Sequence, residues 1–308
     1  MLRQVLLSAS RSAAVRRAVE TAPGTRHVVR RFVAGESVDD AVRVTRVLAG
    51  HGLRVSLDHL GEDTLDRASA DAMRESCIGL LNRLASAGLT GSAEISLKLS
   101  SLGQALPGDG NRIATDAAWK VCATAAQHGT TVTLDMEDHT TTDATLEVLR
   151  ELRADFPWVG AVLQAYLRRT EGDCRDLASA GSRVRLCKGA YNEPESVAYA
   201  GHEVDLAYVR CLGILMAGPG YPMVASHDPR LIEIAGTLAA RYARDAGSYE
   251  YQMLYGVRPN EQRRLADTGE QVRVYVPYGV EWYGYLMRRL AERPANVAFF
   301  ARAVLTKG

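Results

Sequence analysis

Eight short apolar runs punctuate the chain, and each is followed by a longer stretch with helical spacing. The runs are Arg54–Asp58, Glu94–Lys98, Thr131–Asp135, Gly160–Gln164, Arg183–Lys188, Pro222–Ser226, Tyr249–Leu254 and Val272–Val276. Their length, their aliphatic content and the turn residues that bound them predict strands. Helices are predicted near Asp66–Ala87, Thr115–His128, Thr142–Ala154, Asp173–Ala180, Ser196–Met216, Pro229–Ala246, Asn260–Thr268 and Trp282–Ala291.

Strand and helix in strict alternation imply parallel strands joined by right-handed crossovers. Eight such units suit a (β/α)8 TIM-type barrel. The rival is a doubly wound open sheet, which carries a Gly-rich turn after its first strand. Here the first strand runs into Asp58-His-Leu-Gly-Glu62, which is no such turn. Upstream, Val5–Leu7, Ala13–Val19 and Val38–Leu48 read as helices. The first thirty residues are rich in Arg with Glu20 their one acid, a composition shared with transit peptides. Because the Val38–Leu48 helix leads smoothly into the first strand, the expected division is an N-terminal helical layer over 1–50 and a barrel domain over 51–308.

With 308 residues, 47% of them hydrophobic, the chain has ample material for a core. A net charge of +1 gives no footprint for nucleic acid. Five cysteines, at 77, 122, 174, 187 and 211, never fall in a C-x-x-C spacing, which argues for reduced thiols and against a structural zinc. No apolar run approaches the roughly 18–20 residues of a membrane span. Only four of the 37 basic residues are lysines, at 98, 120, 188 and 307. Two of these, Lys98 and Lys188, end predicted strands.

In a barrel the site gathers at the C-terminal strand ends. The generic expectation is a wall of small apolar residues with polar groups at that rim. The rim then holds Asp58 and Glu62, Lys98, the run Asp135-Met-Glu-Asp-His139, Gln164 and Tyr166, Arg185 and Lys188, Ser226 and His227, Gln252 and Tyr255, and Tyr275. Asp135–His139 could hold a hard cation, but Lys98 on the neighbouring strand would compete with it, so no metal is expected. The basic, aromatic rim suits an anionic planar ligand. Lys188-Gly189 offers a cation beside a backbone free to approach such a ligand. On the last helix, Tyr285, Arg288 or Arg289, and Glu292 share a face, and two guanidiniums there could fork onto a carboxylate.

Taken together, eight motifs resemble the proline dehydrogenase family, over Val55 to Asn296. They are Leu57-Asp-His-Leu-Gly-Glu62, Ile95-Ser-Leu-Lys-Leu-Ser100, Leu134-Asp-Met-Glu-Asp138, Gln164-Ala-Tyr166, Arg185-Leu-Cys-Lys-Gly-Ala-Tyr191, Ser226-His227, Tyr249-Glu-Tyr-Gln-Met-Leu-Tyr-Gly256 and Tyr285-Leu-Met-Arg-Arg-Leu-Ala-Glu292. The resemblance is to the monofunctional bacterial type. It implies a distorted barrel with the final helix over the active site, and FAD bound non-covalently. It implies oxidation of L-proline to Δ1-pyrroline-5-carboxylate by hydride transfer to the flavin N5, with electrons passed to a quinone, as the first step of proline degradation to glutamate.

Residue by residue, the resemblance makes Asp135 and Arg185 the catalytic pair, with Arg185 beside the flavin. Lys98, Arg288 and Arg289 would bind the substrate carboxylate, and Tyr275 and Tyr285 would pack on its ring. Met136, Gln164, Arg185, Lys188, Gly189, Ala190, Ser226 and His227 would line FAD. Glu62 would pair with Arg288 as a gate. Ser226 stands where relatives often carry Thr, which keeps the hydroxyl. Asn192 stands where some carry a bulkier gate. The expected location is bacterial cytoplasm, with any membrane contact peripheral at the inner face. Two alternatives stay open at this level: a Schiff-base aldolase using Lys98 or Lys188 with Asp135, and a non-catalytic barrel that binds a phosphate ligand.

Overall fold

The computed structural model describes the backbone of residues 25–61 and 64–292, and side chains over 29–61 and 64–287. The expected helices at 5–7 and 13–19, Glu62, and the side chains of Arg288 and Arg289 lie outside the described residues.

Two helices, α1 (Thr25–Phe32) and α2 (Val38–Gly50), precede the barrel. A capping box between Ser37 and Asp40 starts α2. Then come β1 (Arg54–His59), α3 (Arg67–Ser86), β2 (Ala93–Leu97), α4 (Gly110–Gln127), β3 (Val132–Leu134), α5 (Thr142–Asp155), β4 (Gly160–Gln164) and α6 (Thr170–Leu177). They are followed by β5 (Arg183–Cys187), α7 (His202–Ala217), β6 (Tyr221–Ala225), α8 (Pro229–Arg241), β7 (Glu250–Leu254), α9 (Pro259–Asp267), β8 (Val272–Tyr278) and α10 (Trp282–Glu292). The strands close in sequence order, all pairs parallel, β8 returning to β1. This is the (β/α)8 barrel the alternation predicts.

Four helices depart from the expected boundaries by three residues or more, α6 running Thr170–Leu177 where Asp173–Ala180 was expected. The fourth helix begins at Gly110, five residues early. The helix after β5 begins at His202 rather than Ser196, because Ala198 is bridged to Leu167 and Tyr199 N–H donates to the Tyr166 carbonyl. The helix after β6 stops at Arg241, and Ala243 turns into the left-handed region.

The wall is the larger departure. Val55, Leu57, Ile95, Leu97, Val132, Leu134, Leu163, Leu186, Val224, Val274 and Val276 face outward, at most 2% exposed, and pack with the helix shell. Leu80, Leu81 and Leu84 of α3, Val121 of α4, Leu149 of α5 and Leu212 of α7 complete that layer. Alternate strand positions therefore point into the barrel; most of these are polar, and β4 and β6 add Val162 and Met223. Side chains of β1, β2, β3, β5, β7 and β8 meet each other there, which only inward-pointing residues can do.

Near the N-terminal end, Glu94 accepts from Arg183 (2.7 Å), Thr131 (2.7 Å), Thr133 (3.1 Å) and Ser56 (3.2 Å). Arg273 pairs with Glu250 (2.7 Å) and lies 3.7 Å from Glu94. Burial opposes the charge on Glu94, but Arg183, Arg273 and Arg185 outweigh it and hold the carboxyl far below the usual range. Burial likewise opposes the charge on Glu250, and Arg273 prevails.

Removing one member leaves its partners charged and buried. Glu94→Ala is expected to cost about 3–5 kcal/mol of stability, read in urea unfolding. The folded-state pKa values of Glu94 and Glu250 are depressed. Their contribution is therefore complete above the unfolded value, about 4.3 for Glu, and is lost as pH falls through the folded values. Thermal melts between pH 7 and pH 3 should decline less steeply in acid for Glu94→Gln than for the parent. Equal slopes would refute this account of Glu94.

Candidate active site

Above that ionic layer, towards the C-terminal strand ends, sits Arg185 of β5, 5% exposed. Its Nη1 donates to Asp135 Oδ1 (2.6 Å) and Ser96 Oγ (2.8 Å), its Nη2 to Ser56 Oγ (3.1 Å), and its Nε to Gln252 Oε1 (2.5 Å). The guanidinium also lies 5.3 Å from the centroid of the Tyr275 ring. The fork is thus held from four strands and on one face by an aromatic ring.

Asp135, just past β3, is equally occupied. Oδ1 accepts from Arg185 and from Ser96 Oγ (2.7 Å); Oδ2 accepts from the Tyr275 hydroxyl (2.7 Å). Burial first, then the carboxylates of Asp135 and Asp58, push the Tyr275 phenol well above its ordinary value, so it stays a donor. Lys98, one residue past β2, pairs with Asp58 (2.6 Å) and approaches Asp135 only to 4.0 Å. The nearer partner of Lys98 is therefore Asp58 of β1, and the direct ligands of Asp135 are Ser96, Arg185 and Tyr275. Tyr275 is a mid-strand, inward residue of β8 rather than a strand-end one.

The other rim residues collect beyond β3 to β6. Met136 is buried, and Gln164 donates to the Glu137 carbonyl (2.7 Å). Lys188, about one-third exposed, pairs with Asp205 (2.5 Å) and Asp228 (3.4 Å), and Arg230 joins both acids. The charge of Lys188 is therefore balanced within a cluster of two cations and two carboxylates. Gly189 has φ +118°, and an added Cβ would lie 2.3 Å from the Tyr166 ring, so close packing on that ring requires glycine here. Ala190 is exposed. Ser226 Oγ accepts from the Asp228 N–H (3.1 Å), and His227 Nε2 accepts from the Leu254 N–H (2.8 Å).

Ser56, Ser96 and Glu193 had no place among the expected rim residues, and Asp58 and Gln252 stood on that rim without an assigned role. Ser56, Ser96 and Gln252 hold Arg185, and Asp58 holds Lys98. Glu193 takes the His139 N–H (2.9 Å), the His139 imidazole and the Tyr166 hydroxyl (3.3 Å), stapling the loop after β5 to β3 and β4. The period-two spacing of the strands was the available signal for the first four. For Glu193 it was the extended backbone that Pro194 imposes on its predecessor. Helix α10 starts on the β8–β1 side of the barrel. Trp282, Tyr283, Tyr285, Leu286 and Met287 pack with Phe32 and Val33, and with Leu60, which follows β1. Among the described residues no group of His, Cys, Asp and Glu could hold a metal ion.

A family model described as proline dehydrogenase matches residues 41–302. The chain is 37% identical to proline dehydrogenase 1 of Bacillus subtilis (strain 168) over the full length of both. It is 38% identical to a proline dehydrogenase of Deinococcus radiodurans, over 91% of this chain and 90% of that one. The crystal structure of proline utilization A from Bdellovibrio bacteriovorus, inactivated by N-propargylglycine, superposes with a TM-score of 0.80 at 26% identity. That similarity covers 92% of this chain and 34% of the larger protein.

The thiols give a test of this geometry. Burial pushes Cys77 and Cys122 up to about 12, and Cys187, on β5 beside Arg185, up to about 11. Thiolates are the reactive form. The native protein at pH 8 should therefore show no rapid reaction of these three with Ellman's reagent, whereas denaturant should release all five thiols. Fast native labelling of Cys187 would contradict the packing around β5.

Proposed function

The chain belongs to the proline dehydrogenase family, and from that footing we propose that it oxidises L-proline to Δ1-pyrroline-5-carboxylate, using FAD held non-covalently at the C-terminal mouth of the barrel. The observation that carries this reading is the Arg185–Asp135–Tyr275 unit at that mouth, with Lys98 beside it. The donor set suits the cofactor. Amide, ammonium, hydroxyl and imidazole groups follow β4, β5 and β6, and a fixed guanidinium lies below them. Such a set fits a heterocycle with carbonyl groups and an anionic tail. Met136, Gln164, Lys188, Gly189, Ala190, Ser226 and His227 would hold it, with Arg185 next to its redox centre.

When bound, the flavin supplies the acceptor for the hydride that leaves the proline ring. The chain's own groups bind, orient and polarise. Lys98 takes the substrate carboxylate, together with Arg288 and Arg289, whose part rests on the family resemblance. Tyr275 and Tyr285 flank the ring. Asp135 already accepts from three donors, so its task is to fix Arg185 and Tyr275 rather than to collect a proton. Arg185 is a preorganised cation, which stabilises negative charge as it develops nearby. Glu62 paired with Arg288 would close the site. The electrons pass to a quinone, with contact at the bilayer peripheral in this reading; among the described residues no helix is long and apolar enough to cross a membrane.

The visible spectrum tests the reading directly. The purified protein should be yellow and should bleach on anaerobic addition of L-proline; a colourless protein that takes up no FAD would sink it. Lys98→Met should lower kcat/KM for proline by about 10- to 100-fold, the value of a lost charge-assisted hydrogen bond, mainly through KM. The Bdellovibrio relative is inactivated by N-propargylglycine. The same compound should inactivate this protein with time, and L-proline should protect.

A further inference from the structure

Gln252 lies in the middle of β7, 3% exposed. Its Nε2 donates to Glu250 Oε1 (2.6 Å), and that carboxylate is held by Arg273 (2.7 Å). With its NH2 end committed to an acid, the amide must turn its carbonyl to Arg185 Nε, 2.5 Å away. Both ends of the side chain are thus defined by the chemistry of their neighbours. Arg185 already faces two carboxylates, Asp135 at 2.6 Å and Glu94 at 3.5 Å. Its remaining acceptors are the neutral hydroxyls of Ser56 and Ser96. The interior carboxylates Asp58, Glu94, Asp135 and Glu250 are matched by Lys98, Arg183, Arg185 and Arg273, so a further carboxylate at position 252 would leave negative charge in excess beside Arg185, and an apolar side chain would leave Nε–H without an acceptor.

We propose that Gln252 is a positioning residue: it sets the plane of the Arg185 guanidinium and, by accepting through a neutral carbonyl, leaves that cation's field available to the bound flavin. This rests on the proposed placement of Arg185 beside the cofactor. Among the described residues Gln252 is the acceptor at the Nε edge, and it fixes the guanidinium plane together with the Asp135, Ser96 and Ser56 bonds at the Nη edge. The electrostatic consequence is a preference for the reduced, more electron-rich flavin.

The test uses the full-length flavin-loaded protein as parent, Gln252→Glu, Gln252→Met and Arg185→Lys. The readouts are flavin midpoint potential, kcat and KM per bound flavin, and melting temperature. Gln252→Glu should weaken the preference for reduced over oxidised flavin about tenfold, a drop of about 30 mV for a two-electron couple. Gln252→Met should leave the potential at or above the parent value. Both should lose kcat about tenfold (about 1.4 kcal/mol in the barrier), with KM for proline within about twofold. A purely structural role would move both potentials the same way, in step with lost stability, and that result would overturn the proposal. So would parent values of kcat and potential in Gln252→Glu, which decides alone if the Met protein does not fold. A Glu protein that cannot be isolated with flavin would mark the residue as structural and overturn it too. If Arg185→Lys keeps the parent potential, the placement of Arg185 by the flavin fails as well; if Arg185→Lys shifts and Gln252→Glu does not, only the part assigned to Gln252 fails.

Discussion

Charge balance inside a closed ring of strands governs this protein. Asp58, Glu94, Asp135 and Glu250 share the barrel interior with Arg183, Arg185, Arg273 and Lys98, and each carboxylate has at least one cation within 4.0 Å. Buried ions cost several kcal/mol each unless their pairing and hydrogen bonds are nearly complete. Here the pairing is nearly complete because parallel strands in fixed register bring the groups together. Ser56 lies opposite Glu94 on one side and Tyr275 on the other, and Gln252 opposite Arg273. The apolar wall and helix shell supply the stability that an ionic interior cannot.

From that balance the site follows in layers. The lower layer, Glu94 with Arg183 and Glu250 with Arg273, is closed, and only Arg183 Nη1 among these four side chains is a buried donor without an acceptor. Glu94 approaches Arg185 from below, and Gln252 reaches it from Glu250. The upper layer, Asp135 with Arg185 and Asp58 with Lys98, is assembled from a mid-strand arginine of β5 and from residues at or just beyond the ends of β1, β2 and β3. Its charges are therefore positioned by neighbours on both sides but stand nearest the open mouth. The loop after β5, pinned by Glu193 and seated by Gly189 on Tyr166, borders that mouth.

The strands and their order were legible because short aliphatic runs, regular spacing and turn residues all point the same way. The rim residues were legible as candidates because barrel topology says where to look. The interior was misjudged for a specific reason. An apolar wall was expected, yet Arg54-Val-Ser-Leu-Asp58, Glu94-Ile-Ser-Leu-Lys98 and Arg183-Val-Arg-Leu-Cys187 alternate polar and apolar with period two. A parallel strand buried on both faces ordinarily reads as a continuous apolar run, so alternation here meant a charged interior. Distant partners such as Asp58 for Lys98 depend on register across the β1–β2 pair, which no local pattern encodes. The late start of the helix after β5 was set by backbone contacts of Ala198 and Tyr199 with the segment after β4, again beyond local propensity.

The choice of Arg at 185 follows from the same geometry. A lysine ammonium offers three donors on a flexible stem and one point of charge. Arg185 uses four N–H bonds to span from β7 through β1 to β2 and β3, and its flat face rests on Tyr275. Only a planar fork can satisfy acceptors on both edges and still stack. The guanidinium cannot swing to follow a ligand without breaking bonds to several strands at once. Its field at the mouth is then a property of the folded barrel, present before any substrate arrives, which is what preorganised electrostatic stabilisation requires. The same rigidity explains why Asp135 accepts three hydrogen bonds: its carboxylate joins the cation to the tyrosine and holds both in place.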